Sequence, residues 1–424
     1  MYEQAKDNTR TLKFTGYKDN KDNKDRIFHL ILPILTILIS CEFAHNLSDH
    51  THSPSANTPT AIQQRNQTTQ AKSSNQVNPG SEKNQTTHSP ICPDTLIIGI
   101  ILPERCNMTS YAKITKDVLV RYEGNPVLQA SDFLPLRMRA VYNSCGVKMA
   151  EGKYVMLCRT NQLNHKTLLW GADSVDGLNW TLRPEPFALP TDDLWLAVTR
   201  SVFYDPRVTW IDGEYKVLIA CEGDQNCRVA LFTSSDLQTL KFVNYVNAPD
   251  NRNMVIFPEK SVDGRYMRLE RPTIPSAGGK GNIWLSHSPD LIHWGDSYEM
   301  LKTTEVWNYA ISGLGPSTVP VRTDEGWLIL FHGIMNNCTT REYSVGAALL
   351  DLDQPWKVKH VTKHPILFPV AEYEMRGLVE HVCFPCSMIV EPDNSVKVYY
   401  GGADTYQCVA LGQLEDIIYA CKNW

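Results

Sequence analysis

The chain has 424 residues and 42% hydrophobic content, enough for one large domain or two of ordinary size. A net charge of -5 and a pI near 6.2 argue against a nucleic-acid binder, whose footprint is a basic face. Ten Trp and eighteen Tyr suit β-cores first and sugar-stacking platforms second.

The first 25 residues are polar and rich in Lys and Asp. Ile27 to Ile39 follows as an apolar run broken by His29, Pro33 and Thr36. It falls short of the roughly 20 residues that a membrane-spanning helix needs. It fits the apolar stretch of a secretory signal. Its end, Leu38-Ile39-Ser40-Cys41, resembles a bacterial lipobox with Cys41 as the lipidated residue. Residues 1–41 are therefore read as a leader, with a membrane tether through this N-terminal segment. A true signal there implies an exported or membrane-anchored protein; otherwise the protein is cytoplasmic. Residues 42–92 are dominated by Ser, Thr, Asn, Gln and Pro. Such a segment cannot bury enough apolar surface to offset its ordering entropy, so it reads as a disordered polar linker.

Residues 93–424 are read as one folded domain. From about residue 116 a turn leads repeatedly into a strand of alternating apolar and aromatic residues. The copies begin at Glu151-Gly152-Lys153-Tyr154, Asp212-Gly213-Glu214-Tyr215, Asp263-Gly264-Arg265-Tyr266, Glu325-Gly326-Trp327 and Asp393-Asn394-Ser395-Val396. Turn residues before a run of β-formers mark a strand entered from a hairpin. A second turn interleaves with the first, at Ser174-Val175-Asp176-Gly177, Ser235-Asp236-Leu237 and Ser288-Pro289-Asp290-Leu291, each followed by Trp180, Phe242 or Trp294. Five spaced copies of one turn-plus-strand unit predict an all-β chain folded as a five-bladed β-propeller, behind a disordered N-terminal extension. A single helix is expected after the leader, near Leu414–Tyr419.

Strands of successive blades converge on a central channel in such a fold. The recurring strands are followed by Arg159, Glu222, Arg271, His332 and Asp404. Five ionisable groups at equivalent ends predict a polar ligand on the axis. Among the twelve Cys, Cys383-Phe384-Pro385-Cys386 has redox or zinc spacing. Its apolar flanks and the lack of a second pair favour structural burial. Cys221 and Cys227 are candidates for a disulfide if the protein is exported. No metal site and no cofactor are expected.

These residues also carry a family likeness. Arg121-Tyr122-Glu123-Gly124-Asn125-Pro126, Val141-Tyr142-Asn143-Ser144, Tyr204-Asp205-Pro206-Arg207-Val208 and Asn251-Arg252-Asn253-Met254-Val255-Ile256-Phe257-Pro258 form an ordered series. It continues through Gly326 to Gly333, Ser344 to Asp353, and Tyr399-Tyr400-Gly401-Gly402-Ala403-Asp404-Thr405. From about Tyr122 to the C-terminus the chain resembles glycoside hydrolase family 130, inverting mannoside phosphorylases and their hydrolytic relatives. The Asn251–Asn253 box looks closest to the subgroup that phosphorolyses 4-O-β-mannosyl-glucose. The resemblance implies a five-bladed propeller, a β-mannoside and inorganic phosphate as partners, and assembly into a homo-oligomer.

It also implies roles. Asp205 matches the general acid, which in this family is thought to act through a hydroxyl of the bound mannose. Arg252, Asn253 and His332 match phosphate-binding groups. Asn143, Ser144 and Arg159 match groups lining the sugar and phosphate site. Asp404 matches a carboxylate that holds mannose hydroxyls. The chemistry fits these residue types. An inverting hydrolase needs a second carboxylate to activate water. A phosphorylase needs instead a cationic pocket for a dianion, and Arg provides a bidentate fork.

The chain departs from the phosphorylase pattern twice. Ile311 stands where a Lys is expected, and Val379-Glu380-His381 where Pro-Asn is usual. Glu380 is thus the candidate base of a hydrolytic variant, with Glu222 and Glu270 as other candidates. Three readings stay open: a phosphorylase releasing mannose 1-phosphate, an inverting β-mannosidase on the same scaffold, and a non-catalytic glycan-binding propeller.

Overall fold

The computed structural model describes residues 117–199, 202–224, 226–273, 281–336 and 338–424. The leader and lipobox expected over residues 1–41, the linker expected over 42–92 and the start of the domain read from residue 93 lie outside the described residues. Among the described residues no helix is long and apolar enough to cross a membrane.

The strands form five antiparallel sheets, as the repeat predicts. Blade 1 is Met138–Lys148, Tyr154–Gln162, Thr167–Ser174 and Thr181–Pro186. Blade 2 is Val202–Ile211, Glu214–Gly223, Asn226–Ser234 and Lys241–Tyr245. Blade 3 is Asn251–Ile256, Tyr266–Pro272, Ile283–Ser288 and Gly295–Leu301. Blade 4 is Gly313–Pro316, Gly326–Asn336, Arg341–Leu350 and Val358–Val361, with Val321–Thr323 added beside its second strand. Blade 5 is Cys383–Val390, Ser395–Gly402 and Tyr406–Gln413, completed by Leu119–Arg121 from the start of the domain. That last pairing, Leu119 opposite Gly412 through Arg121 opposite Ala410, closes the ring.

The first strand of each blade is the one that meets its counterparts across the axis. The recurring strand of the sequence pattern is therefore the second of its blade, one place out from the channel. Its entry turns are as read. Asp212 and Gly213 have φ of 54° and 79°, the left-handed pair of a tight hairpin turn. The second recurring turn links the third and fourth strands of blades 1 to 3. In it Ser174 Oγ accepts the Gly177 N–H at 2.9 Å, and Asp176 Oδ1 accepts the N–H groups of Leu178 and Asn179 at 2.8 Å. Ser234 with Asp236, and Ser288 with Asp290, repeat the device. Side-chain oxygens replace missing backbone acceptors, so each turn is set locally.

Each inter-blade seam carries its own apolar cluster. Val155, Leu157, Phe203 and Val217 fill the seam between blades 1 and 2. Leu218, Leu231, Met254 and Ile256 fill the next. Val255, Leu269, Trp327 and Ile329 lie between blades 3 and 4, and Leu328, Leu330, Val398 and Tyr400 between blades 4 and 5. Met156, Cys158, Tyr399 and Val409 join blade 5 to blade 1. Alternation along each strand gives every sheet two buried faces, one per neighbour. That arrangement keeps the first strands rigid where they bound the channel.

Two expectations change. The terminal helix is present but runs Leu414–Asn423, and short helices also occur at Asp193–Val198, Trp307–Ala310 and Glu372–Met375. These are single turns in loops, too short to show a helical period. Cys221 and Cys227 are both free thiols. They sit on facing strands but one residue out of register, Cys221 opposite Arg228 and Cys227 opposite Glu222. Cys383 and Cys386 are buried and free, in the structural role expected of them.

Candidate active site

The first strands of blades 1, 2 and 3 share a local irregularity near the same end. The pairing register slips between Tyr142 and Cys145, between Tyr204 and Arg207, and between Arg252 and Val255. Inside each slip one residue is left-handed: Asn143 at φ 49°, Asp205 at 53° and Asn253 at 58°. Asn and Asp tolerate that conformation because their short polar side chains bond locally, whereas β-branched residues do not. A bulge re-aims the side chain it carries. Here three bulges turn three polar side chains toward one point, and all three are buried.

That point is a cavity of about 190 Å³, lined by Asn143, Arg159, Tyr204, Asp205, Arg252, Asn253, Arg271, Tyr343, Val382, Phe384 and Asp404. Asp205 Oδ1 takes a hydrogen bond from Arg159 Nη1 at 2.7 Å and another from Asn143 Nδ2 at 3.0 Å. The Arg159 guanidinium lies over the rings of Tyr142 and Tyr204, 4.1 and 4.8 Å from their centroids. The aromatic sandwich and the ion pair fix it in one pose. Arg252 is held from outside the cavity: its Nη2 donates to Asp250 at 2.9 Å and its Nη1 lies 3.6 Å from Glu222. Glu222 also accepts the Tyr204 hydroxyl. Arg271 is opposite Arg252 in the ladder and shares its side of the sheet. Burial, and next the Arg252 charge, lower its pKa to about 10.

His332 is fully buried and stands behind Arg271 rather than in the cavity wall. Its Nε2 lies 3.1 Å from Arg271 Nη1, and its Nδ1 2.9 Å from Ser317 Oγ. A guanidinium only donates, so Nε2 accepts and Nδ1–H donates to Ser317. Burial first, then the charges of Arg271, Arg207 and Arg341, hold the ring neutral by pushing its pKa well down. Its contact with Arg271 makes it a positioning residue for that cation.

Of the residues read from sequence, the fold brings Asn143, Arg159, Asp205, Arg252, Asn253 and Asp404 to one cavity. Ser144 is buried beneath it and its N–H donates to Gln407 Oε1. Glu380 is exposed, in the loop before Cys383, and is not part of the wall. Ile311, in place of the expected Lys, is 43% exposed at the end of the Trp307–Ala310 turn. The wall nonetheless holds three guanidinium groups, because Arg271 points in. Arg271 is visible in the sequence as a strand-end charge. Tyr343, Val382 and Phe384 come from blades 4 and 5 and carry no sequence signal of their own.

Asp404 shares the cavity with Asp205. Burial first raises its pKa, Asp205 adds to the rise, and Arg159 opposes it, leaving it at about 6. A carboxyl whose folded pKa lies above its unfolded value binds its proton more tightly when folded. That stabilisation is complete below about pH 4 and is lost as pH rises through 6. A rise of about two pH units at about 1.4 kcal/mol each comes to about 3 kcal/mol. Asp404→Asn is therefore expected to melt above the wild type at pH 8, with the gap closing by pH 4.5. Parallel thermal melts at the two pH values check this, and an equal gap at both contradicts the assignment.

A family model described as beta-1,4-mannooligosaccharide phosphorylase matches residues 111–423. The chain belongs to glycoside hydrolase family 130. It is therefore an enzyme of the glycosidase and glycoside phosphorylase type. Family 130 relatives include a β-1,4-mannooligosaccharide phosphorylase of Ruminococcus albus, 30% identical over 73% of this chain and 92% of that one. A β-1,2-mannobiose phosphorylase of Listeria innocua is 37% identical over 58% of this chain and 67% of its own length. A 4-O-β-D-mannosyl-D-glucose phosphorylase of Bacteroides fragilis is 29% identical over 72% and 81%. The solved β-1,2-mannobiose phosphorylase of Listeria innocua in complex with β-1,2-mannobiose superposes with a TM-score of 0.64, covering 72% of this chain and 99% of that one. The family 130 relatives thus span three linkage or aglycone types at similar identity, and the mannosyl-glucose subgroup does not stand apart.

Proposed function

We propose that the chain phosphorolyses β-mannosides with inversion, yielding mannose 1-phosphate and the free aglycone. The observation that carries this is the composition of the cavity: Arg159, Arg252 and Arg271 against two carboxylates, Asp205 and Asp404. Arg159 is committed to Asp205, which leaves Arg252 and Arg271 side by side for a dianion. An oxygen of that phosphate attacks the anomeric carbon as the glycosidic C–O bond breaks. The leaving oxygen takes a proton from a hydroxyl of the bound mannose, which Asp205 in its protonated form replaces, and the phosphate bears the mannosyl group with inverted configuration. Asp404 and Asn143 hold hydroxyls of the mannose. Near pH 6 Asp404 can either donate or accept a hydrogen bond, which suits a group binding hydroxyls.

Hydrolysis requires a base for water, and Glu380 lies outside the cavity wall. Glu380→Gln is expected to leave turnover within about twofold of wild type, in line with an exposed substitution away from the chemistry. Incubation with β-mannobioses or mannosyl-glucose, with and without phosphate, tests the main reading. Mannose 1-phosphate should appear only with phosphate. Equal release of free mannose in phosphate-free buffer identifies a β-mannosidase instead, and loss of that release in Glu380→Gln would identify its base.

A further inference from the structure

We infer that Glu222 is a positioning residue that ties the acid half of the cavity to its phosphate half. The inference deepens the reading of Asp205 as the acid and Arg252 as a phosphate group, and it rests on that reading. Glu222 lies at the end of the second strand of blade 2, opposite Val202 on the first strand and Cys227 on the third. It stands outside the cavity wall. A strand-end carboxylate in such a place has an ordinary explanation as a solvated charge. Its partners argue otherwise.

Two wall residues meet at one of its atoms. The Tyr204 hydroxyl donates to Oε1, and Arg252 Nη1 lies 3.6 Å from the same oxygen. Each leads to a different half of the site. Tyr204 precedes Asp205 in the bulge, and its ring lies 4.8 Å from the Arg159 guanidinium, which binds Asp205 at 2.7 Å. Arg252 faces Arg271 across the ladder. Its other support, Asp250, takes Arg252 Nη2 at 2.9 Å and the Cys227 N–H at 3.3 Å. Cys227 is itself the ladder partner of Glu222. Glu222 and Asp250 thus brace the two Nη atoms of one guanidinium.

The Tyr204 link suits a carboxylate. Burial, the largest cause, holds the phenol well above its ordinary pKa, so the hydroxyl stays a donor. The Cys227 thiol also lies near, with Sγ at 3.5 Å, but sulfur is a weak acceptor. An ionised acceptor makes a hydrogen bond roughly twice as strong as a neutral one. One carboxylate therefore fixes Tyr204 against Arg159 and Arg252 beside Arg271. Phosphate attack and protonation of the leaving oxygen belong to one displacement, so the groups that serve them must be held in register. A misplacement of about 1 Å can cost on the order of 100-fold in rate. Glu222 is the contact through which both groups are held.

The test uses the full-length protein, with initial rates on β-1,4- and β-1,2-mannobiose over a range of phosphate concentrations. Glu222→Ala should lower kcat about thirtyfold and raise KM for phosphate about tenfold, since both halves are loosened. Tyr204→Phe keeps the ring against Arg159 but breaks one link. It should lower kcat about tenfold and leave KM for phosphate within about twofold. The double variant should lose no more kcat than Glu222→Ala alone, because both changes remove the same link. Glu222→Gln keeps an acceptor for Tyr204, so it should restore kcat to within about threefold of wild type, with KM for phosphate still raised. Three results overturn the positioning role: Glu222→Ala within about twofold of wild type in both constants, a loss confined to one constant, or losses that multiply in the double variant. Wild type without phosphate-dependent turnover on either substrate overturns the reaction instead. A crystal structure of Glu222→Ala then decides the positioning: Tyr204 and Arg252 should both shift, and either one unmoved overturns it.

Discussion

Replacing Asp205 by Asn is expected to lower kcat on an unactivated β-mannoside about a thousandfold, the middle of the range for loss of a general acid. The substitution is chosen for what it keeps. Asp205 Oδ1 receives Arg159 and Asn143, and an amide oxygen can accept the same two bonds. The bulge, its left-handed residue and the rotamer survive, because Asn suits that conformation as Asp does. The transferable proton is lost, and with it the charge opposite Arg159. KM for the mannoside should therefore change little. An aryl β-mannoside, whose leaving group departs without protonation, should lose less than about tenfold. Initial rates on both substrates separate the roles. Equal losses on the two would mean that Asp205 only holds the site together.

Arg252→Ala should have the next largest effect, about a hundredfold rise in KM for phosphate. A charge-assisted hydrogen bond of this type is worth roughly 1.5–3 kcal/mol, or about 10- to 150-fold. The structure adds a second cost. Arg252 neutralises Asp250 at 2.9 Å and Glu222 at 3.6 Å. Without it two carboxylates just outside the cavity are left unneutralised near the incoming dianion. Added salt should therefore act with opposite sign in the two proteins. It screens attraction in the wild type, raising KM for phosphate, and screens repulsion in the variant, lowering it. Arg252→Lys keeps one charge without the fork and should fall between them. Initial rates against phosphate at saturating mannoside, at low and high ionic strength, give the comparison. An unchanged KM in Arg252→Ala would remove Arg252 from the phosphate site.

The propeller architecture was legible in the linear chain, as were most of the polar residues that line the cavity. Turn chemistry is local, so Asp212-Gly213 and the Ser174–Asp176 turn declare their hairpins without knowledge of the rest of the chain. The first of these turns, repeated at five places, counts the blades. Asp205, Arg252 and Asn253 are legible because they sit in ordered motifs of a known family. What the sequence left open is which residues face which way. A register slip between Tyr204 and Arg207 leaves no mark that separates it from an ordinary strand, yet it turns Asp205 toward the axis. Depth is equally hidden. His332 and Glu380 both read as site residues, but His332 is packed behind Arg271 and Glu380 is exposed in a loop. Arg271, which the strand-end spacing does place near the axis, stands in the cavity wall, whereas Ile311 lies outside it. These outcomes depend on contacts between residues distant in the chain, made only when five sheets close into a ring. The closure itself rests on Leu119–Arg121 pairing with Tyr406–Gln413. Local turns write the blades, and that long-range pairing sets the cavity they enclose.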